Sequence, residues 1–230
     1  MIKPQFERTL GLLKEDTFNK IQNTKIVVAG LGGVGGTAFE ALIRSGFINV
    51  MIIDFDKVSE SNLNRQILYT FDDVGNYKTD CAKKRALSIN NEANITSINE
   101  NINELDFKII EEFAPDIVID AIDNVAGKIK LAKFSLANNI PIIMSLGMAN
   151  RVDPSLVKLS TLDKTTHDPL AKKMRYEIRK ENLNTKDIKV VYSDEQPIKD
   201  GNKLHSMIMT PSEAGLLIVK EVISILTSKQ

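Results

Sequence analysis

The sequence is poor in the residue types that carry much of enzyme chemistry. Its 230 residues include one cysteine, two histidines and no tryptophan. A single cysteine excludes a disulfide within the chain and a C-x-x-C zinc pair, and it suits a reducing, cytoplasmic compartment. We interpret Cys81 as a packing residue. We assign no catalytic role to His167 or His205, which we expect in a turn and a strand.

Excess charge and long apolar runs are also missing. Thirty basic and thirty acidic residues give a formal net charge of zero, so no global field draws the chain to nucleic acid or to an anionic membrane. The most apolar stretch near the end is interrupted by Lys220 and Glu221 and is too short to span a bilayer. The first ten residues have no apolar core of a secretory signal.

Short β-rich runs alternate with helical patterns over the first 150 residues, which predicts a Rossmann-like, doubly wound α/β fold with a mostly parallel sheet. The predicted strands are 25–30, 49–54, 95–101, 116–123 and 141–146, and the predicted helices are 34–46, 78–90, 105–113 and 125–139, with Gly46 as a C-cap. Beyond residue 150 we predict strands at 157–162, 188–193 and 204–209 and helices at 168–182 and 212–226. We therefore divide the chain into a nucleotide-binding core, 1–150, and a C-terminal extension, 151–230.

The stretch GLGGVGG links the first predicted strand to the first helix and has the G-x-G-x-x-G spacing of a phosphate-binding loop. Its glycines are Gly30, Gly32, Gly33 and Gly35. Bare backbone N–H groups at a helix N-terminus bind phosphate, and Asp54 ends the next strand, where an acid binds a ribose hydroxyl. This pattern does not separate NAD from ATP, and tight helix packing is the plainer interpretation of the glycines.

The stretch after Asp54 favours chemistry at a phosphate. Residues 55–77 look irregular, and they contain Asn62 and Arg65 and lead into Lys78. Catalysis of attack on a phosphate depends on positioning and on cations around the phosphate chain. These three residues also have plainer interpretations: Asn62 as the cap of a turn, and Arg65 and Lys78 as solvated surface charges.

Two carboxylates, Asp120 and Asp123, end a predicted strand at the carboxyl edge of the sheet, where ligands bind in open α/β folds. A carboxylate at this edge is suited to hold Mg²⁺ against phosphates. The plainer interpretation of Asp123 is the N-cap of the following helix.

The stretches GLGGVGG, DFDKVSESNLNRQ, VGNYK and DAIDN, in this order, resemble the ThiF/MoeB/HesA superfamily of adenylating domains, which is related to ubiquitin-activating enzymes. The resemblance covers roughly residues 5–150 and implies ATP and Mg²⁺ as cofactors. The roles it implies are phosphate loop for Gly33, ribose contact for Asp54, phosphate contacts for Asn62 and Arg65, α-phosphate contact for Lys78, magnesium site for Asp123, and contribution across a homodimer interface for Arg8.

The second half resembles one branch of that superfamily, the tRNA threonylcarbamoyladenosine dehydratases, through DPSLV (153–157) and KTTHDPLA (164–171). This resemblance implies ATP-dependent cyclisation of threonylcarbamoyladenosine in tRNA. The threonine carboxylate is adenylated and an internal nitrogen closes the ring; a sulfur-mobilising protein is a further implied partner. No cysteine follows position 81, which suits a reaction whose nucleophile is already on the substrate.

The helix predicted at 168–182 is a candidate tRNA contact. Residues 151–190 hold ten basic and six acidic residues. An apolar line on this helix comprises Leu170, Met174 and Ile178, and the cations off that line are Lys172, Lys173, Arg175, Arg179 and Lys180. Such clusters supply phosphate contacts, although a solvated helix face looks the same in sequence.

Three other functions stay open at this point. An enzyme that activates the C-terminal Gly-Gly of a small, ubiquitin-like sulfur carrier is disfavoured by the missing cysteines. An NAD(P)-dependent oxidoreductase would bind nicotinamide and release no pyrophosphate. A catalytically inert nucleotide- or tRNA-binding module would bind ATP and show no ATP–pyrophosphate exchange.

Overall fold

Seven strands form a single sheet in the computed structural model, which describes residues 3–201 and 203–227. In chain order they are β1 (Lys25–Ala29), β2 (Asn49–Ile53), β3 (Asn94–Ile98), β4 (Ile117–Asp120), β5 (Ile142–Ser145), β6 (Val157–Thr161) and β7 (Lys189–Ser193). The order across the sheet is β3-β2-β1-β4-β5-β7-β6. All neighbours are parallel except β6 and β7. The predicted mostly parallel, doubly wound fold is confirmed.

Helices cover both faces of this sheet. They are α1 (Glu7–Asn23), α2 (Gly33–Ser45), α3 (Lys78–Ile89), α4 (Lys108–Phe113), α5 (Val125–Ala137), α6 (Pro169–Lys180) and α7 (Met209–Thr227). In the described part of the chain, no helix has the length and apolar character needed to cross a membrane.

Alternation along the central strand explains the two-layered core. Ile26 and Val28 of β1 belong to the core on the α2 and α7 side, whereas Val27 and Ala29 belong to the core on the α5 and α6 side. All four side chains are fully buried, because successive strand residues point to opposite faces and helices cover both.

The C-terminal half of the chain extends the same sheet. β7 pairs with β5, and β6 completes the edge. Helix α7 packs on α2 at Gly215, where a side-chain Cβ would lie 2.7 Å from the Val34 carbonyl oxygen. This close approach places the start of α7 beside the glycine loop that opens α2.

The strand predicted at 204–209 is wrong. Residues 203–208 form no helix or strand, and α7 begins at Met209. The alternating pattern misled the prediction because the backbone of this segment bonds to the side chain and main chain of Asn150 instead of to a strand. His205 accordingly lies in an exposed, irregular segment and not in a strand.

Helix α1 has no counterpart among the predicted elements. Its buried residues are sparse, and the backbone is non-helical at Lys14, with φ 64°. The broken pattern gives a weak helical signal. The strands predicted at 95–101 and 116–123 end three residues earlier, at Ile98 and Asp120, so Asp123 lies beyond β4, and α4 begins at Lys108 instead of 105. Gly46 is the left-handed C-cap of α2 as predicted, with φ 104°.

Candidate functional site

The glycine loop lies between β1 and α2 and needs glycine for two separate reasons. At Gly30 the backbone has φ 88°, which favours glycine. A Cβ at Gly35 would lie 1.8 Å from the Gly30 carbonyl oxygen, so this glycine permits α2 to pack on the loop. Gly30, Gly32 and Gly33 line a cleft of about 930 Å³, and Gly35 is not among its lining residues within the described chain.

The cleft leaves room beside the loop for a phosphate chain. Among the described residues, a Cβ added at Gly32 would meet only Gln66 Nε2, at 4.0 Å, so a side chain there would project into open space. The first N–H groups of a helix have no partner within the helix, and the helix dipole makes the start of α2 favourable for anions. The loop therefore fits a nucleotide phosphate in geometry and in charge.

Asp54 fastens the glycine loop to the end of β2. Its Oδ2 accepts a hydrogen bond from the Leu31 N–H at 2.7 Å, and its Oδ1 accepts one from the Asp56 N–H at 2.8 Å. Burial raises the pKa of the Asp54 carboxyl, while Lys78 and the two N–H groups oppose that rise. The side chain lines the cleft, so its sequence-predicted position beside a ribose is available.

Asn62, Arg65 and Lys78 all reach the same cleft. The Asn62 Oδ1 accepts a hydrogen bond from the Ser59 N–H at 3.1 Å, so this side chain caps a turn as well. The irregular segment 55–77 has only two short 3₁₀ turns in helical conformation, as predicted.

Both cations have hydrogen-bond partners within the protein, but their burial differs. Arg65 Nη1 donates to the Ser61 carbonyl oxygen at 2.7 Å and to Asn64 Oδ1 at 2.8 Å. Lys78 is buried, with Nζ 2.7 Å from Asp56 Oδ2. Burial therefore argues against the solvated-charge alternative for Lys78, whereas Arg65 is half-buried and that alternative stays open for it.

The two carboxylates at the end of β4 have different environments. Asp120 is fully buried, and its Oδ1 lies 3.0 Å from the equally buried Lys128 Nζ. Burial raises the pKa of the Asp120 carboxyl, and the Lys128 ammonium opposes that rise. Asp123 is exposed and lines the cleft. The cap of α5 is Asn124, whose Oδ1 accepts from the Gly127 N–H at 3.0 Å, so the N-cap interpretation of Asp123 is wrong.

One carboxylate suffices for a magnesium ion shared with phosphates. Within residues 3–201 and 203–227, no cluster of three or more histidine, cysteine, aspartate or glutamate side chains is placed to hold a metal. Mg²⁺ in nucleotide sites keeps several waters and uses one or two carboxylates plus the substrate phosphates. The exposed carboxylate of Asp123 fits that pattern.

The opposite side of the cleft is built around the buried pair Arg151 and Asp168. Arg151 Nε donates to the Glu195 carbonyl oxygen at 3.2 Å, Nη1 donates to the Gly147 carbonyl oxygen, and Nη2 donates to the His167 carbonyl oxygen at 3.3 Å. Burial lowers the pKa of the Arg151 guanidinium, with Asp168 and Glu195 opposing. The arginine therefore ties together three separate segments of the cleft wall.

Asp168 begins α6 as predicted. Its Oδ1 accepts from the Ala171 N–H at 3.0 Å, and its Oδ2 accepts from the Gly147 N–H at 3.0 Å. Pro169 follows as the first helical residue. Of the two motifs of the second half, 164–171 reaches the cleft lining through Asp168, Pro169 and Leu170, whereas 153–157 contributes no lining residue in the described part of the chain.

Arg8 and the cations of α6 are not among the residues that line the cleft. Arg8 is exposed on α1. On α6, Met174 and Ile178 are buried and Leu170 is partly buried, which confirms the predicted apolar line. Arg175 Nη1 donates to the Thr165 carbonyl oxygen at 3.1 Å, so this cation holds a neighbouring turn.

Several polar residues of the cleft received no role from the sequence. They are Gln66, Asn101, Asn103, Asn124 and Arg151. The signal for two of them was present, because Asn101 and Asn103 follow β3 at the carboxyl edge of the sheet, where ligands bind. Lys130 holds this loop by donating to the Ile102, Asn103 and Leu105 carbonyl oxygens.

Comparisons with known proteins find relatives that match most of this chain. A Bacillus subtilis protein named tRNA threonylcarbamoyladenosine dehydratase is 37% identical over 194 residues, which are 84% of this chain and 76% of that relative. The Saccharomyces cerevisiae tRNA threonylcarbamoyladenosine dehydratase 2 is 33% identical over 198 residues, which are 85% of this chain and 44% of that relative. The chain thus spans less than half of the yeast relative's length.

A solved structure shows the same fold over nearly the whole chain. The Escherichia coli tRNA N6-threonylcarbamoyladenosine dehydratase in complex with ATP superposes with a TM-score of 0.91 at 30% identity, covering 98% of this chain and 94% of that one. The sequence profile of the ThiF family matches residues 6–230. Because that match includes both the glycine loop and the second half of the cleft, this chain belongs to the ThiF family.

Proposed function

We propose that this protein is an ATP-dependent tRNA threonylcarbamoyladenosine dehydratase. The observation that carries the proposal is the single cleft in which the glycine loop, Asp54, Arg65 and Lys78 face Arg151 and Asp168. Relatives that carry this name, and the ATP complex of one of them, support it.

The nucleotide half of the cleft has a role for each predicted side chain. Gly32 and Gly33 leave the loop N–H groups open to phosphates, and Asp54 accepts from the ribose. Asn62 and Arg65 donate to the phosphate chain, where the planar guanidinium of arginine makes paired contacts. Lys78, held in place by Asp56, places a point charge at the α-phosphate.

Asp123 is the residue that would hold magnesium. The ion, when bound, neutralises charge on the phosphate oxygens. The exposed carboxylate at the cleft needs no rearrangement of the buried Asp120–Lys128 pair to take that part.

The reaction proceeds in two steps, adenylation of the substrate carboxylate and closure of the ring. An oxygen of the substrate's threonine carboxylate attacks the α-phosphorus of ATP, and the bond to pyrophosphate breaks. The internal nitrogen of the threonylcarbamoyl group then attacks the acyl carbon; AMP leaves with the carboxylate oxygen, and the nitrogen loses its proton. The cyclic product has lost the elements of one water, whose oxygen remains in AMP.

Arg65 and Lys78 act in the first step by stabilising the charge that develops on the α-phosphate. Such preorganised charges contribute most of the catalysis in phosphate chemistry. No nucleophile from the protein is required, since the attacking groups belong to the substrate. Burial raises the pKa of the Cys81 thiol to about 11, which agrees with a packing role for that residue.

The two halves of the chain divide the work. Residues 1–150 bind the nucleotide, and residues 151–230 supply the tRNA side. On α6, one stripe carries cations around Tyr176, which is 66% exposed. The residues of that stripe are Lys172, Tyr176, Arg179 and Lys180, which with Arg175 line a groove of about 480 Å³. Because α6 begins at the cleft, an RNA whose modified nucleoside enters the cleft can lay its backbone along this stripe.

A homodimer, in which Arg8 reaches the partner's nucleotide, completes the proposal. Arg8 is exposed and is not among the described residues that line this chain's own cleft, which supports that role. A cytoplasmic location and a sulfur-mobilising partner protein belong to the same proposal.

The test is to mix the protein with ATP, Mg²⁺ and tRNA that carries threonylcarbamoyladenosine. Digestion of the tRNA and mass analysis of its nucleosides should show loss of one water, with AMP and pyrophosphate formed in equal amounts. Pyrophosphate exchange only with a carrier protein ending in Gly-Gly would favour the sulfur-carrier alternative. ATP binding without any exchange would overturn the enzymatic proposal.

A further inference from the structure

One asparagine joins the two sides of the cleft through a single side-chain amide. Asn64 Oδ1 accepts a hydrogen bond from Arg65 Nη1 at 2.8 Å, and Asn64 Nδ2 donates to the Ser206 carbonyl oxygen at 2.9 Å. Only this orientation of the amide satisfies both partners, because a guanidinium only donates and a carbonyl only accepts. Asn64 is exposed and is not among the cleft-lining residues of the described chain.

The segment that Asn64 reaches, residues 203–206, is itself held by Asn150. The Asn150 N–H donates to the His205 carbonyl oxygen at 2.7 Å, and the His205 N–H donates to Asn150 Oδ1 at 2.6 Å. Asn150 Nδ2 donates to the Lys203 carbonyl oxygen at 3.0 Å. The 203–206 segment is therefore held at two points, by Asn64 and by Asn150.

The two fixed points matter because the same segment forms part of the cleft wall. Leu204 and Ser206 line the cleft together with Arg65 and Asn150. The Asn64 amide thus joins two residues of the cleft lining, Arg65 and Ser206, by one hydrogen bond to each.

We infer that Asn64 is a positioning residue, which orients Arg65 toward the nucleotide and fastens it to the 203–206 segment. The inference rests on the proposed phosphate role of Arg65. Without the Asn64 amide, the Ser61 carbonyl oxygen is the one acceptor left to the guanidinium among the described residues, and the guanidinium samples more orientations. Binding of ATP must then order the guanidinium, which lowers the affinity for ATP.

The first experiment measures the affinity for MgATP by calorimetry in a double-mutant cycle. Asn64→Leu should weaken binding about tenfold, the usual effect of losing one charge-assisted hydrogen bond. Asn64→Gln, which keeps both amide groups, should restore affinity to within about threefold of the parent. In an Arg65→Ala background, Asn64→Leu should change the affinity less than about twofold, because its partner is gone.

The matched control is Asn23→Leu. Asn23 is also exposed and donates to a backbone carbonyl, that of Asn19 at 2.8 Å, and it does not line the cleft. Its replacement should leave the affinity for MgATP unchanged. An equal loss from Asn64→Leu in the presence and absence of Arg65 would overturn the inference.

The second experiment tests the hydrogen bond between Asn64 and the Ser206 carbonyl oxygen in the absence of ATP. Trypsin cleavage after the exposed Lys203, identified by peptide mass, should be about tenfold faster in Asn64→Leu than in the parent, since loss of a restraint increases local opening. Arg65→Ala should leave this rate unchanged. Equal cleavage rates in Asn64→Leu and the parent would contradict the claim that Asn64 restrains the 203–206 segment.

The two proposals fail in different ways. If Arg65→Ala binds MgATP as tightly as the parent, the phosphate role of Arg65 fails and the present inference fails with it. If Arg65→Ala binds weakly and Asn64→Leu binds normally, only the inference about Asn64 fails.

Discussion

Lys128 and Asp120 form a fully buried ion pair, with 3.0 Å between Nζ and Oδ1, at the edge of the proposed nucleotide cleft. Lys128 Nζ also donates to the Ser145 carbonyl oxygen at 2.7 Å. The ammonium thus joins the ends of β4 and β5 to α5, and Ala121 and Ser145 on either side of it line the cleft.

Replacing Lys128 by methionine should destabilise the fold strongly, because it leaves the Asp120 carboxylate buried without a counter-charge. The expected loss in the free energy of unfolding is about 3–5 kcal/mol, a fall in melting temperature of the order of 10 °C for a chain of this size. Thermal unfolding monitored by circular dichroism measures it.

The control for this variant is Lys133→Met on the same helix. Lys133 forms an exposed pair with Glu181 at 2.6 Å, and such pairs contribute at most about 1 kcal/mol. The double variant Asp120→Asn/Lys128→Met should recover part of the stability, since no buried charge is left. A single Lys128 variant as stable as the parent would contradict the buried-charge argument.

Arg65→Ala should abolish dehydration of the tRNA while leaving the melting temperature within a few degrees of the parent. The guanidinium is half-buried at the surface of the cleft and contributes no core packing. Arg65→Lys should stay well below the parent because a lysine supplies charge without the paired donor geometry. Turnover by Arg65→Ala at the parent's rate would show that this cation does not act on the phosphates.

Lys83→Ala serves as the matched control for that loss. Lys83 is an exposed cation on α3 and is not among the described cleft-lining residues. Its removal changes the net charge as Arg65→Ala does, so equal activity of Lys83→Ala and the parent isolates the effect of position.

Cys81→Ser should retain activity, since the thiol is buried on α3 and burial raises its pKa to about 11. At pH 8 only about one thiol in a thousand is ionised at that pKa. Alkylation of the native protein by iodoacetamide should therefore rise about tenfold per pH unit between pH 8 and pH 10, measured by intact mass.

The raised pKa of the Cys81 thiol also makes the free energy of unfolding depend on pH. The folded-state pKa lies above the unfolded value of about 8.5, so the buried thiol favours folding below that pH, and this contribution is lost as the pH rises through about 11. A folded but inactive Cys81→Ser variant would contradict the packing role of Cys81 and indicate a chemical role for its thiol.

Asp123→Asn should raise the Mg²⁺ concentration needed for half-maximal activity by about one order of magnitude, because the amide lacks the charge that a hard cation prefers. Titration of ATP–pyrophosphate exchange with Mg²⁺ at fixed ATP measures the shift. Glu104→Gln, an exposed carboxylate outside the cleft lining, should leave the titration unchanged. An unchanged midpoint for Asp123→Asn would remove it from the metal site.

The sequence alone determined the alternation of strands and helices, because short apolar runs fit strands buried on both faces and 3.6-residue periodicity fits the covering helices. The sequence also located the glycine loop and Asp54. Left-handed backbone at Gly30 requires glycine, and Asp54 directly follows the apolar run of β2, so both positions are visible in the local sequence. The helix start at Asp168 followed from the Asp-Pro pair, which is a local cap signal.

Only the tertiary structure decided the partners. Sequence spacing does not distinguish the buried Asp120 from the cleft-lining Asp123, because their difference lies in Lys128, which reaches one carboxylate and not the other. The strand predicted at 204–209 does not form because of a long-range contact too. The backbone of residues 203–205 forms hydrogen bonds with Asn150, more than fifty residues away in the chain. Local patterns record the backbone's own preferences, whereas long-range hydrogen bonds and burial arise only when distant segments meet.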